Sequence, residues 1–163
     1  MTEMTHPVLG QVEVDDTAGP SWRASAVVAG FPVELSFDPG DAPLDAGQVD
    51  TLAGVAERLA EFDRSARAAM LRDWVEDLDS EGAGGYLVHH VAELGEARVA
   101  EALGVAIPLD AERFVAALRL VRLAVQPDEP MVLDYTIDED LTNYVLAVGI
   151  EADGQVSSIN TES

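Results

Sequence analysis

Apolar residues alternate with polar ones near both ends of this chain, and between those regions they recur at three- and four-residue spacing. A strand sends successive side chains to opposite faces, whereas a helix returns to one face every three or four residues. Near the start, Val8, Val12 and Val14 share one parity, with Gln11, Glu13 and Asp15 on the other. That parity continues through Trp22, Ala24, Ala26 and Val28. After Gly30, which suits a hairpin turn, Phe31, Val33, Leu35 and Phe37 face one way and Glu34, Ser36 and Asp38 the other. Near the end the same pattern runs through Val121, Leu123 and Val125, then Met131, Leu133, Tyr135 and Ile137, then Tyr144, Leu146, Val148 and Ile150. Asp153-Gly154 predicts a final hairpin leading to a short strand with Val156 and Ile159. Such alternation describes strands with one buried face and one solvated face.

Pro39, Gly40 and Pro43 close the first of these regions. Asp45 stands three residues before Gln48, the spacing of a capping box that opens a helix. Val49, Leu52, Ala56 and Leu59, then Ala66, Met70, Trp74 and Leu78, widened by Leu71 and Val75, predict two helices or one bent helix from about 46 to 79. Asp63 is the expected kink or second N-cap. Ser80 to Gly85 reads as a flexible connection, and a short helix from Tyr86 should bury Leu87, Val91 and Leu94. After Gly95, another should hold Val99 and Leu103 and stop at Gly104. Asp110 caps a last turn or two with Phe114, Ala117 and Leu118. Strands, then helices, then strands describe an α+β fold. The expectation is a single domain over 1–163, with 1–6 and 161–163 frayed. N-terminal hairpin strands and a C-terminal meander form an antiparallel sheet, covered on one face by helices.

Composition narrows the chemistry. The 163 residues include 31 Asp and Glu against nine Arg and no Lys, a formal net charge of −22. Without lysine this chain offers no Schiff base and no phosphate-loop lysine. Without cysteine it offers no thiol nucleophile, disulfide or thiolate zinc site. No cationic stretch followed by an apolar run opens the sequence, and no 18-residue apolar run occurs, so a cytosolic place is expected. The lysine-free, Ala-, Val- and Arg-rich usage fits a GC-rich bacterial genome. Such a charge repels nucleic acid and anionic membranes and attracts a basic protein. A homodimer through exposed sheet edges is a further expectation, opposed by the same charge.

Three groups invite chemistry. His89 and His90, with Glu93 one turn on, are the candidate metal ligands. Adjacent helical residues point about 100° apart, and the His-Glu-x-x-His pattern of a zinc helix is absent. Asp138, Glu139 and Asp140 lack the glycine and the twelfth-position glutamate of a calcium loop and read as a charged turn. Asp134, mid-strand, either faces solvent or pairs with an arginine such as Arg122. Gly82-Ala83-Gly84-Gly85 follows acidic, helical sequence rather than a strand, which argues against a phosphate loop. Trp22, Trp74, Tyr86, Tyr135 and Tyr144 lie at apolar parity, as core residues do. No catalytic residue and no cofactor is indicated. The leading expectation is a non-enzymatic interaction module for a basic partner. The alternative is a metal-dependent enzyme or small-ligand binder using His89 or His90 with nearby carboxylates.

Val132-Leu133-Asp134-Tyr135-Thr136-Ile137, Thr142-Asn143-Tyr144-Val145-Leu146, Asp153-Gly154 and Glu162-Ser163 together resemble a bacterial family known only as a domain of unknown function. Its members are small, acidic and cytosolic, and the likeness covers about the last 40 residues. No activity comes with that resemblance. Some small acidic bacterial proteins of similar layout are immunity proteins to toxins, an analogy of layout alone.

Overall fold

A computed structural model describes residues 3–163. Four strands come first: β1 (Glu3–His6), β2 (Gly10–Asp15), β3 (Ser21–Val28) and β4 (Phe31–Phe37). Five helices follow: α1 (Ala46–Glu57), α2 (Leu59–Arg72), α3 (Ala83–Leu94), α4 (Glu96–Leu103) and α5 (Ala111–Ala117). Four more strands end the chain: β5 (Arg119–Val125), β6 (Met131–Thr136), β7 (Val145–Ile150) and β8 (Val156–Glu162). All eight strands form one sheet in chain order.

Every neighbouring pair is antiparallel except β4 and β5, which are parallel. The sheet is therefore mixed, a correction to the antiparallel expectation. The five helices return the chain to the end from which β4 started, and a helical crossover of that kind joins parallel strands. Ala29 and Gly30, both at positive φ, make the β3–β4 turn, the requirement of a tight hairpin whose twist matches its strands.

The parity of the sequence becomes the two faces of the sheet. One register row runs Ala24, Leu35, Leu123, Leu133, Val148, Ile159 from β3 to β8. Leu35, Leu123, Leu133 and Val148 in this row are fully buried beneath the helices. Burying each leucine or valine contributes about 1.5–3 kcal/mol. The next row, Ser25, Glu34, Arg122, Asp134, Ala147, Asn160, lies on the opposite face. Phe31 shares the parity of Val33, Leu35 and Phe37 but sits at the hairpin end, half exposed beneath the Arg119 guanidinium. In β5 the alternation holds only from Leu123. A register shift between Leu120 and Arg122 turns Leu120 inward and leaves Val121 partly exposed.

Several helix boundaries differ from expectation. α1 opens as the capping box predicted: the Asp45 carboxylate accepts from the Gln48 N–H and the Gln48 side-chain oxygen from the Asp45 N–H, each at 3.0 Å. The break between α1 and α2 falls at Arg58, not Asp63. Asp63 lies inside α2, accepting from the Tyr135 hydroxyl at 2.6 Å and from Arg67 at 3.0 Å. α2 ends at Arg72, so the helix expected to run to 79 stops short and Trp74, Val75 and Leu78 lie in the connection. α3 begins at Ala83 and includes Gly84 and Gly85, both buried in its first turn rather than in a flexible linker. Of the residues it was expected to bury, Leu87 is buried, while Val91 and Leu94 are half-buried and His90 takes a core position instead. α4 stops at Gly104 in the left-handed conformation and Asp110 caps α5, both as expected. Of the ends thought frayed, Glu3–His6 forms β1 and Thr161 and Glu162 finish β8, while Met1 and Thr2 lie outside the described residues.

Candidate functional site

The histidines that were the candidate metal ligands sit in a polar network between α3 and the β6–β7 connection. His90 is buried, and its two ring nitrogens are both engaged. Nδ1 lies 2.8 Å from the Tyr86 carbonyl oxygen, which can only accept, so Nδ1 carries the proton. Nε2 therefore accepts from the Thr142 hydroxyl at 2.9 Å, while that hydroxyl accepts from the Tyr144 N–H at 3.0 Å. Burial is the main cause that holds the His90 imidazole below its ordinary pKa; the Tyr86 carbonyl works in the opposite direction.

The Tyr86 hydroxyl completes the network. It donates to the Tyr144 carbonyl at 2.9 Å and accepts from the Ile137 N–H at 3.3 Å. Burial raises its pKa. His89 packs edge-on against His90 and Tyr144, and Glu93 is exposed. Among the described residues no three histidine, aspartate or glutamate side chains are grouped to hold a metal ion. With both nitrogens committed, His90 ties a helix to a loop. Asp138, Glu139 and Asp140 form the charged turn read from the sequence, with the Asp138 carboxylate accepting from the Asp140 N–H at 2.8 Å.

The uncovered face of the sheet gathers charge of both signs. Arg23 bridges Asp15, at 3.3 Å, and Glu34. Arg122 stands in register between Glu34 and Asp134, 3.8 Å from the latter. Burial raises the Asp134 carboxyl, Arg122 lowers it and Glu162 raises it further. Both arginines are thus matched by carboxylates.

Carboxylates outnumber arginines most in the connection between α2 and α3. Asp73, Glu76, Asp77, Asp79 and Glu81 are all exposed, and no arginine occurs between Arg72 and Arg98. Asp73 pairs with Arg72 at 3.2 Å; the other four make no ion pair among the described residues. Interleaved with them are Val75, 55% exposed, and Leu78, 62% exposed, with Leu71 beside them at the end of α2.

This acidic segment is braced from behind. Trp74 packs edge-on against buried Phe114. The first turn of α3 lies directly beneath it: a Cβ on Gly84 would come within 2.2 Å of the Val75 carbonyl oxygen, and one on Gly85 within 1.8 Å of the Ser80 carbonyl oxygen. Only residues without a side chain let helix and connection approach so closely. The segment ends at a crevice of about 250 Å³ between Asp73, Ser80 and Glu81 on one side and Val156–Ile159 of β8 on the other.

The hydrophobic spacing had assigned Leu71, Val75 and Leu78 to a core stripe, so this surface was missed. Five carboxylates within nine residues, 73–81, are the signal that could have found it. No helix among the described residues is long and apolar enough to cross a membrane. No family model, no curated protein and no solved structure matches the chain.

Proposed function

We propose that the chain is a non-enzymatic interaction module, regulatory or of the immunity type, that captures a basic partner protein on the segment 71–81. The observation that carries this reading is the combination of exposed Val75 and Leu78 with Glu76, Asp77, Asp79 and Glu81, none of them ion-paired among the described residues. Apolar groups at the centre of a patch supply affinity by leaving water, and surrounding charge steers the partner and sets orientation. Bracing by Trp74 and by the first turn of α3 reduces the ordering cost on binding. The net charge of −22 adds long-range attraction for any cationic protein. The same reading places the protein in the cytosol, with the small acidic bacterial proteins that its C-terminal run resembles.

A cationic amphipathic helical peptide carrying a fluorophore tests the reading at low and at physiological salt. Replacing Val75 and Leu78 by Ser should weaken binding at least tenfold at both. Replacing Glu76, Asp77 and Asp79 by their amides should weaken it more than amides at Glu93, Glu101 and Glu112, which remove equal charge from exposed sites elsewhere. Equal losses from the two charge sets, with no effect of the serines, would reduce the binding to general attraction and sink the proposal.

A further inference from the structure

We propose that the free edge of β8 accepts an extended, basic segment of the partner as a ninth strand, seated in the crevice beside Val156–Ile159. The inference rests on the reading of this chain as a binder of basic proteins and names the form in which the partner is held.

An edge strand presents N–H and C=O groups that have no neighbour, and soluble proteins shorten, charge or interrupt such edges. The two edges of this sheet differ in that respect. β1 has four residues and is followed at once by Pro7, which cannot extend a ladder. β8 has seven residues, no proline, and one charged residue, Glu162, at its far end; its one interruption is a register shift at Ser157, where Ser158 lies opposite Gly149 and Val156 opposite Ile150. No main-chain hydrogen bond connects β8 to any element but β7 among the described residues. The Thr161 hydroxyl donates to the Glu81 carbonyl at 3.0 Å and closes the end of the strand. The stretch without a second neighbour is therefore Val156–Ile159, at most about 13 Å of strand and bent at Ser157.

The crevice lies along that stretch. Its volume of about 250 Å³ has Met70 and Ala83 among its apolar lining, Ser157 and Ser158 on the strand side, and Asp73 and Glu81 opposite. None of its lining residues is basic. Paired main chains would supply affinity, and the carboxylates would select arginine or lysine at alternate positions of the incoming strand. Asp73 and Glu81 belong to both the crevice and the acidic segment, so a partner engaged by one reaches the other.

The test uses the full chain with a hexapeptide alternating Arg and Val, and the same peptide N-methylated at every residue. N-methylation removes the donors of strand pairing and keeps the charge. The unmodified peptide should bind at least tenfold more tightly, and amide hydrogen exchange within 156–159 should slow at least tenfold in the complex. Should both peptides bind equally, with slowed exchange confined to 74–81, strand addition is refuted while capture on the acidic segment stands. Should neither peptide bind at low salt, both readings fall. Slowed exchange in β8 that depends on protein concentration without peptide would assign the edge to a second copy of the chain and overturn the proposal.

Discussion

The helical layer is fastened to the two halves of the sheet by different means. Against β1–β4, α1 is held by packing and by polar contacts near the surface. His6 bonds Asp50 at 2.9 Å, with Asp50 largely in solvent, and the Trp22 indole donates to Gln48 at 3.1 Å. Against β5–β8 each fastening starts from a buried ring. Tyr135 bonds Asp63 of α2, Tyr86 of α3 bonds the Tyr144 carbonyl, and His90 bonds Thr142. A hydrogen bond shielded from water gains little net free energy on folding, yet leaves an expensive orphan when one partner goes. The C-terminal half should therefore be the more sensitive to the loss of single polar atoms, and it is also the half that carries the acidic segment and the free β8 edge.

The strongest challenge to that contrast is steric. Gly85→Ala would drive a Cβ against the Ser80 carbonyl and should lower unfolding free energy by about 3 kcal/mol, read by urea denaturation. A loss below about 1 kcal/mol would mean that the contact of α3 with the 75–80 connection is loose, and with it the bracing of the acidic segment.

Single-atom deletions sharpen the comparison. Tyr135→Phe leaves the Asp63 carboxylate with Arg67 as its remaining donor in a nearly closed site and should cost about 2 kcal/mol. Tyr86→Phe, which strands the Tyr144 carbonyl and the Ile137 N–H, should cost about as much. The corresponding change in the N-terminal half, Gln48→Ala, removes half of a capping box and the Trp22 bond and should cost about 1 kcal/mol. Asp50→Ala should cost less than about 0.5 kcal/mol. If Asp50→Ala proves as damaging as Tyr135→Phe, the distinction between the halves is lost.

Acid provides a subtler test. Burial holds the His90 pKa below its ordinary value, so the unfolded chain binds more protons than the folded one just below about pH 6.5. The stability that neutral His90 contributes is complete above that pH and is lost as the pH falls through the folded value. His90→Gln should unfold with a shallower loss between neutral pH and about pH 5 than the parent chain. Parallel curves would show that the imidazole is solvated.

Much of the sheet could be read from the order of residues. Parity placed Val33, Leu35 and Phe37 on one face and Met131, Leu133 and Tyr135 on the same face of a distant strand, and the structure joins them in one buried layer. The caps at Asp45 and Asp110 and the stop at Gly104 were legible because each depends on a few adjacent atoms. The candidate surface was not. Leu71, Val75 and Leu78 keep a helical spacing, and whether such a stripe is buried depends on what packs over it.

The sequence by itself determined which residues could face inward, where α1 and α5 begin, and that no lysine or thiol chemistry is available. Tertiary structure alone decided that β4 and β5 run parallel, that His90 spends both nitrogens on Tyr86 and Thr142, and that 73–81 stands exposed beside a free edge. Periodicity is a property of neighbours within a few residues. These outcomes depend on groups brought together from 50 or more positions apart, such as His90 and Thr142, where close packing rather than local preference selects the arrangement.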